Sequence, residues 1–134
     1  MTTRRVLLGS AGGLLAQITG AQNPARGRKI LFEHGLPDLA LKGWSVTAVE
    51  VSYAPGESSP PHRHPGITIA YVLEGEIRSK VGDAPEKTYT AGEMFLETPD
   101  QLHAVSRNAS ATLPAKLLAV LLAEKGKPLT TPAK

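Results

Sequence analysis

The feature that most constrains this chain is its punctuation. Short apolar and β-branched runs alternate with turn residues such as Pro55-Gly56, Gly75 and Gly82-Asp83-Ala84-Pro85. A helix cannot establish its 3.6-residue period between such breaks, whereas strands of four to eight residues fit them. The predicted strands cover residues 28–33, 44–53, 67–74, 76–81, 87–90, 94–97, 102–106 and 115–123. Many short strands joined by Gly/Pro turns make an all-β sandwich or barrel the expected fold class. With 134 residues the chain is one domain by length.

The last of these runs does not alternate. Leu117, Leu118, Val120, Leu121 and Leu122 are nearly continuous, a pattern that periodicity alone cannot assign. Pro114 and Gly126 bound a segment too short for a typical helix, so it is read as a strand buried on both faces. A strand apolar on both sides needs cover, and a second copy of the chain would supply it. A homodimer is therefore expected.

The first 21 residues read as a signal peptide. Arg4-Arg5 precedes a modestly apolar run over 6–18, and Thr19-Gly20-Ala21 offers small residues for cleavage. The segment Thr3-Arg4-Arg5-Val6-Leu7-Leu8 resembles the twin-arginine export signal of bacteria. Export to the periplasm or the medium is the expectation, with no stable membrane anchor, because the run is too short and too glycine-rich to span a bilayer. Residues 22–27 read as a linker, 28–126 as the barrel and 127–134 as a disordered tail.

The sequence pI of about 9.3 suggests nucleic acid at first sight. Removing Arg4 and Arg5 with the signal peptide leaves 13 Lys+Arg against 12 Asp+Glu. The remaining basic residues form no cluster, so no nucleic-acid partner is expected. With no cysteine, disulfides, thiolate ligands, Cys nucleophiles and a lipid-anchored Cys are all excluded.

What chemistry remains centres on two histidines, His62 and His64, in Ser59-Pro60-Pro61-His62-Arg63-His64-Pro65. In an extended strand residues i and i+2 face the same side, so both imidazoles can aim at one point. The other histidines are His34 and His103. His34 precedes a turn and is read as a surface residue.

These residues resemble the cupin superfamily. Its first motif runs Gly, five residues, His-x-His, three or four residues, Glu, six residues, Gly; here Gly56, His62, His64 and Gly75 fall in register. Its second motif runs Gly, five residues, Pro-x-Gly-x-x-His, three residues, Asn; Gly92 and His103 match. Thr98 stands at the proline position with Pro99 beside it, Asp100 at the inner glycine, and Arg107 at the asparagine with Asn108 following. The resemblance covers roughly residues 45–108. It implies a double-stranded β-helix, a jelly-roll barrel, holding a divalent metal through His62, His64 and His103.

The first motif's glutamate position holds Thr68, and neither Glu74 nor Glu76 is an obvious stand-in. Three neutral imidazoles would leave an ion's charge uncompensated, strengthening it as a Lewis acid and favouring anionic ligands. The resemblance implies one divalent ion per chain, identity open among iron, manganese, zinc, copper and nickel. It also implies a small-molecule ligand or substrate. An enzyme of dioxygenase-like or isomerase/lyase-like chemistry on a small anionic molecule is one reading. A non-catalytic binding or sensing module is the other.

Two further residues are assigned to the substrate pocket. Thr68 shares parity with the interior positions 70 and 72, and Gln101 lies two before His103. Tyr71 has the opposite parity and is expected outside the barrel. Arg107 shares the parity of His103 and could meet a substrate carboxylate, but it is read as a solvated strand end.

Overall fold

A computed structural model describes residues 29–134. The expected signal peptide, and the linker that follows it, lie outside the described residues.

The described residues form ten strands: β1 (Trp44–Tyr53), β2 (Ser58–Ser59), β3 (His62–Arg63), β4 (Ile67–Glu74), β5 (Glu76–Val81), β6 (Lys87–Thr90), β7 (Met94–Glu97), β8 (Leu102–Asn108), β9 (Ala115–Glu124) and β10 (Thr131–Pro132). They build two antiparallel sheets. One has the order β1-β9-β4-β7; the other runs β10-β3-β8-β5-β6, with β2 also pairing with β8. No helix occurs among the described residues, and the all-β expectation holds.

The two sheets pack face to face over a core in which Val72, Phe95, Leu117 and Leu121 of the first sheet meet Ile77 of the second. β9 alternates: Ala115, Leu117, Ala119, Leu121 and Ala123 are buried, while Leu118, Val120 and Leu122 are only half-buried. The expectation of burial on both faces is thus corrected. β9 lies between β1 and β4, which flank its half-buried outer row.

Two more expectations fail. Residues 29–33 form no strand. Ile30 and Leu31 stay exposed, and no ladder among the described residues offers that segment a partner. The tail is not disordered at 131–132. β10 pairs with β3, Thr131 opposite Arg63 and Pro132 opposite His62, and Ala133 N–H donates to Pro61 O at 3.1 Å. Free backbone groups on β3 give this polar segment a ladder that its composition does not advertise.

The motif positions explain themselves in backbone terms. Gly75 has φ +69°, and a Cβ there would lie 2.5 Å from Pro114 O, so both conformation and space demand glycine. Asp100, where the resemblance expects glycine, keeps the left-handed conformation at φ +60°, which Asp tolerates better than most residues. Its N–H donates to His64 O at 2.8 Å, and its own carbonyl accepts from Arg63 Nη1 at 2.6 Å. The turn before β8 therefore clamps the histidine segment.

A β-bulge accounts for the displaced asparagine. Against β5, Val105 pairs with Lys80 but His103 with Val81, leaving Ala104 as the extra residue. The parity of β8 flips there: His103, Ser106 and Asn108 are buried and Arg107 is not. Asn108, fully buried, takes the structural role expected at 107. Its Nδ2 donates to Ala54 O and Leu113 O, and its Oδ1 accepts from Ser110 N–H.

Candidate metal centre

His62 lies on β3, His64 just after it, and His103 directly opposite His62 on β8. The His62 ring centroid is 4.9 Å from those of both His64 and His103. The three histidines singled out by spacing therefore converge.

Hydrogen bonds set which nitrogen each presents. His62 Nδ1 is 2.8 Å from Pro60 O, and His64 Nδ1 is 2.8 Å from Leu129 O. A carbonyl only accepts, so both Nδ1 atoms carry the proton and both Nε2 atoms keep a lone pair. His103 is oriented the other way: its Nε2 bonds Ser79 Oγ at 2.8 Å, which turns Nδ1 to the group; a hydroxyl both donates and accepts, so Ser79 permits the tautomer in which Nδ1 keeps the lone pair. Burial holds the His62 imidazole below its ordinary value of 6.5; the Pro60 carbonyl opposes this, while His103 and His64 add to it. His62 is thus kept neutral, the form that ligates.

A fourth group joins them. Glu97 Oε2 lies 3.1 Å from His103 Nδ1 and 3.7 Å from His64 Nε2, with Glu97 and His103 each 3% exposed. One ligand atom from each of His62, His64, Glu97 and His103 falls within 4.8 Å of the others. Despite their proximity, Glu97 Oε2 and His103 Nδ1 make no hydrogen bond among the described residues, and neither does the buried Thr68 Oγ1. Leaving such atoms unpartnered costs free energy, above all for a carboxylate. A divalent cation among them would remove that cost, and imidazole and carboxylate are suitable donors for one. The residues present fit a metal.

Thr68 and Glu97 are cross-strand partners on β4 and β7. The carboxylate missing from the first motif is thus present one strand away. A search along the histidine segment could not find it. The available signal was parity: on β7, Glu97 shares the buried face of Phe95, an unusual place for a carboxylate without a partner. Its charge also corrects the expectation of an uncompensated ion.

A cavity of about 600 Å³ adjoins this group, walled by both sheets. Thr68 lines it. Gln101 does not; its Oε1 accepts from Thr98 N–H at 2.9 Å and its amide packs at Gly82, so it braces the turn before β8. His34 is exposed, its Nδ1 bonded to Gly35 O. Tyr71 lies on the outer face of β4, opposite in parity to the buried Thr68, Ala70 and Val72.

The family model for the cupin domain matches residues 49–121. This chain is a cupin. Among its curated relatives, the germin-like protein subfamily 2 member 2 of Arabidopsis thaliana is 35% identical over 83 residues, which is 58% of this chain and 37% of that protein. The cupin-domain-containing oxidoreductase fogC of Aspergillus ruber is 28% identical over 86 residues, 64% of this chain and 42% of that one. This cupin therefore spans about two fifths of the length of either relative. Among solved structures, the DMSP lyase DddQ of Ruegeria pomeroyi superposes with a TM-score of 0.59 at 20% identity, covering 66% of this cupin and 43% of that chain. An uncharacterised double-stranded β-helix protein of Klebsiella pneumoniae gives 0.55 at 21%, covering 66% and 75%. Those likenesses establish the fold, a double-stranded β-helix.

Proposed function

We propose that this cupin binds one divalent metal ion through His62, His64, Glu97 and His103 and uses it on a small organic molecule held in the barrel cavity. The observation that carries the reading is the set of orphaned buried atoms, Glu97 Oε2, His103 Nδ1 and Thr68 Oγ1, gathered beside two Nε2 lone pairs. When bound, such an ion supplies Lewis acidity or redox chemistry. The chain's residues do the rest. Pro60 O, Leu129 O and Ser79 Oγ orient the three rings, as outer partners of metal ligands do. Glu97 offsets one unit of charge. Thr68 Oγ1 offers a hydroxyl beside the same point, and the apolar walls exclude water.

An enzyme is the favoured form of this reading, and a relative described as an oxidoreductase and a fold neighbour described as a lyase make both chemistries reasonable. The alternative is a non-catalytic module that binds metal and ligand without turnover. Export ahead of residue 22 belongs to the proposal. So does a homodimer, supported by the half-buried outer row Leu118, Val120 and Leu122 on β9.

Elemental analysis of protein purified from its native export route tests the metal reading. About one equivalent of a transition metal in the wild type, and much less in Glu97→Gln, is expected. Metal-free protein that takes up no zinc, manganese or iron on titration would refute it.

A further inference from the structure

The cavity beside the metal group has a second polar feature. Tyr53 Oη lies 2.7 Å from Ser59 Oγ and 3.0 Å from Ser106 Oγ, joining β1, β2 and β8 through three hydroxyls. All three residues line the cavity. Three hydroxyls carry three protons, and two hydrogen bonds use two of them. The third proton, with several lone pairs, has no partner among the described residues.

The distance to the metal group follows from the ladder. Ser106 lies three residues beyond His103 on β8, with the bulge between, so the hydroxyls sit roughly 7–10 Å along the strand. The wall between is apolar: Val51, Ala70, Phe95, Leu117, Ala119 and Leu121. Among the described residues, no Lys, Arg, Asn or Gln lines the cavity. A second carboxylate on a ligand would therefore be buried without a counter-charge, at a large cost.

We infer that the Tyr53–Ser59–Ser106 hydroxyls form a second anchoring point, and that the ligand is an elongated, mainly apolar molecule with an oxygen group at each end. One end is directed to the His–Glu group and carries any negative charge; the other is neutral and hydrogen-bonds the hydroxyls. This rests on the proposed metal reading for its first end and on the hydroxyl geometry alone for its second.

The probes are hexanoate, 6-hydroxyhexanoate and oxalate, titrated calorimetrically into the full chain with and without zinc. In zinc-loaded wild type, hexanoate should bind at least about tenfold more tightly than oxalate. The terminal hydroxyl should add about fivefold, the scale of one neutral hydrogen bond. In Tyr53→Phe and in Ser106→Ala that gain should shrink to about onefold, with zinc affinity unchanged. A gain that persists in both variants, or oxalate binding more tightly than hexanoate, overturns the inference. A parallel zinc titration reads the metal proposal separately. The ratio of the two monocarboxylates in zinc-free protein still reads the hydroxyl anchor if zinc does not bind.

Discussion

Thr68 and Glu97 face each other across β4 and β7, both buried and both with a side-chain oxygen that has no partner among the described residues. A carboxylate on either strand would reach the same point. Glu97→Thr should lower affinity for zinc by more than about tenfold, the lower range of what even outer partners of a metal contribute. The double exchange Thr68→Glu with Glu97→Thr should restore much of it. A metal titration of the three proteins decides the matter; a double variant no better than the single one would show that the strands are not interchangeable.

Removal of one imidazole separates ligand from bystander. His103→Ala should greatly reduce zinc occupancy, whereas His34→Ala, altering an exposed ring bonded to its neighbour's carbonyl, should leave it intact. Equal losses in the two would sink the assignment.

The pH dependence of the metal-free protein has a definite sign. Burial lowers the His62 pKa in the folded state below its ordinary 6.5, so the unfolded chain takes up this proton first. Its contribution to stability is full above about pH 6.5 and is lost as pH falls from there towards the depressed folded value. Urea unfolding at pH 8 and pH 5.5 should show a lower midpoint at the acid end, a difference reduced in His62→Gln. A midpoint that rises on acidification would contradict the burial argument.

Deletion of residues 127–134 removes Leu129 O, the acceptor that fixes the His64 tautomer, together with Thr130 Oγ1 at 3.3 Å. Zinc affinity should fall by about 10–100-fold, as for other losses of a partner to a ligand. The His64 ring resonances should broaden or shift in NMR spectra, while Leu129→Ala, which keeps the carbonyl, should retain most of the affinity. If both variants lose affinity alike, the side chain rather than the carbonyl is what matters.

Backbone strain predicts opposite outcomes at two motif positions. Asp100→Gly relieves a left-handed conformation and should stabilise the protein by up to about 1 kcal/mol. Gly75→Ala meets both the positive φ and the Pro114 carbonyl and should destabilise it by more than about 1 kcal/mol. Thermal or urea melts compare the two.

Turn chemistry and alternation made most strands legible, because Gly and Pro end a strand by local rules and burial imposes a two-residue period. The histidines were legible because motif spacing on one strand maps directly onto one face. Glu97 was not, since its partnership with Thr68 is a cross-strand register and register is a tertiary property. The bulge at Ala104 reversed the parity assigned to Arg107 for a similar reason: one extra residue alters every later position on the strand. β10 escaped notice because its pairing rests on backbone groups, which sequence does not distinguish.

The candidate ligands do not all come from one sheet. His62 and His103 lie on β3 and β8 of the larger sheet, while Glu97 stands on β7 of the smaller. A bound ion would therefore act as a rivet through the sandwich. The barrel interior is hollowed by its cavity and cannot be held shut by side-chain packing alone at that end. For the sheets to part there, coordination bonds would have to break first, so the same ion that equips the cavity for chemistry would also keep its walls in register.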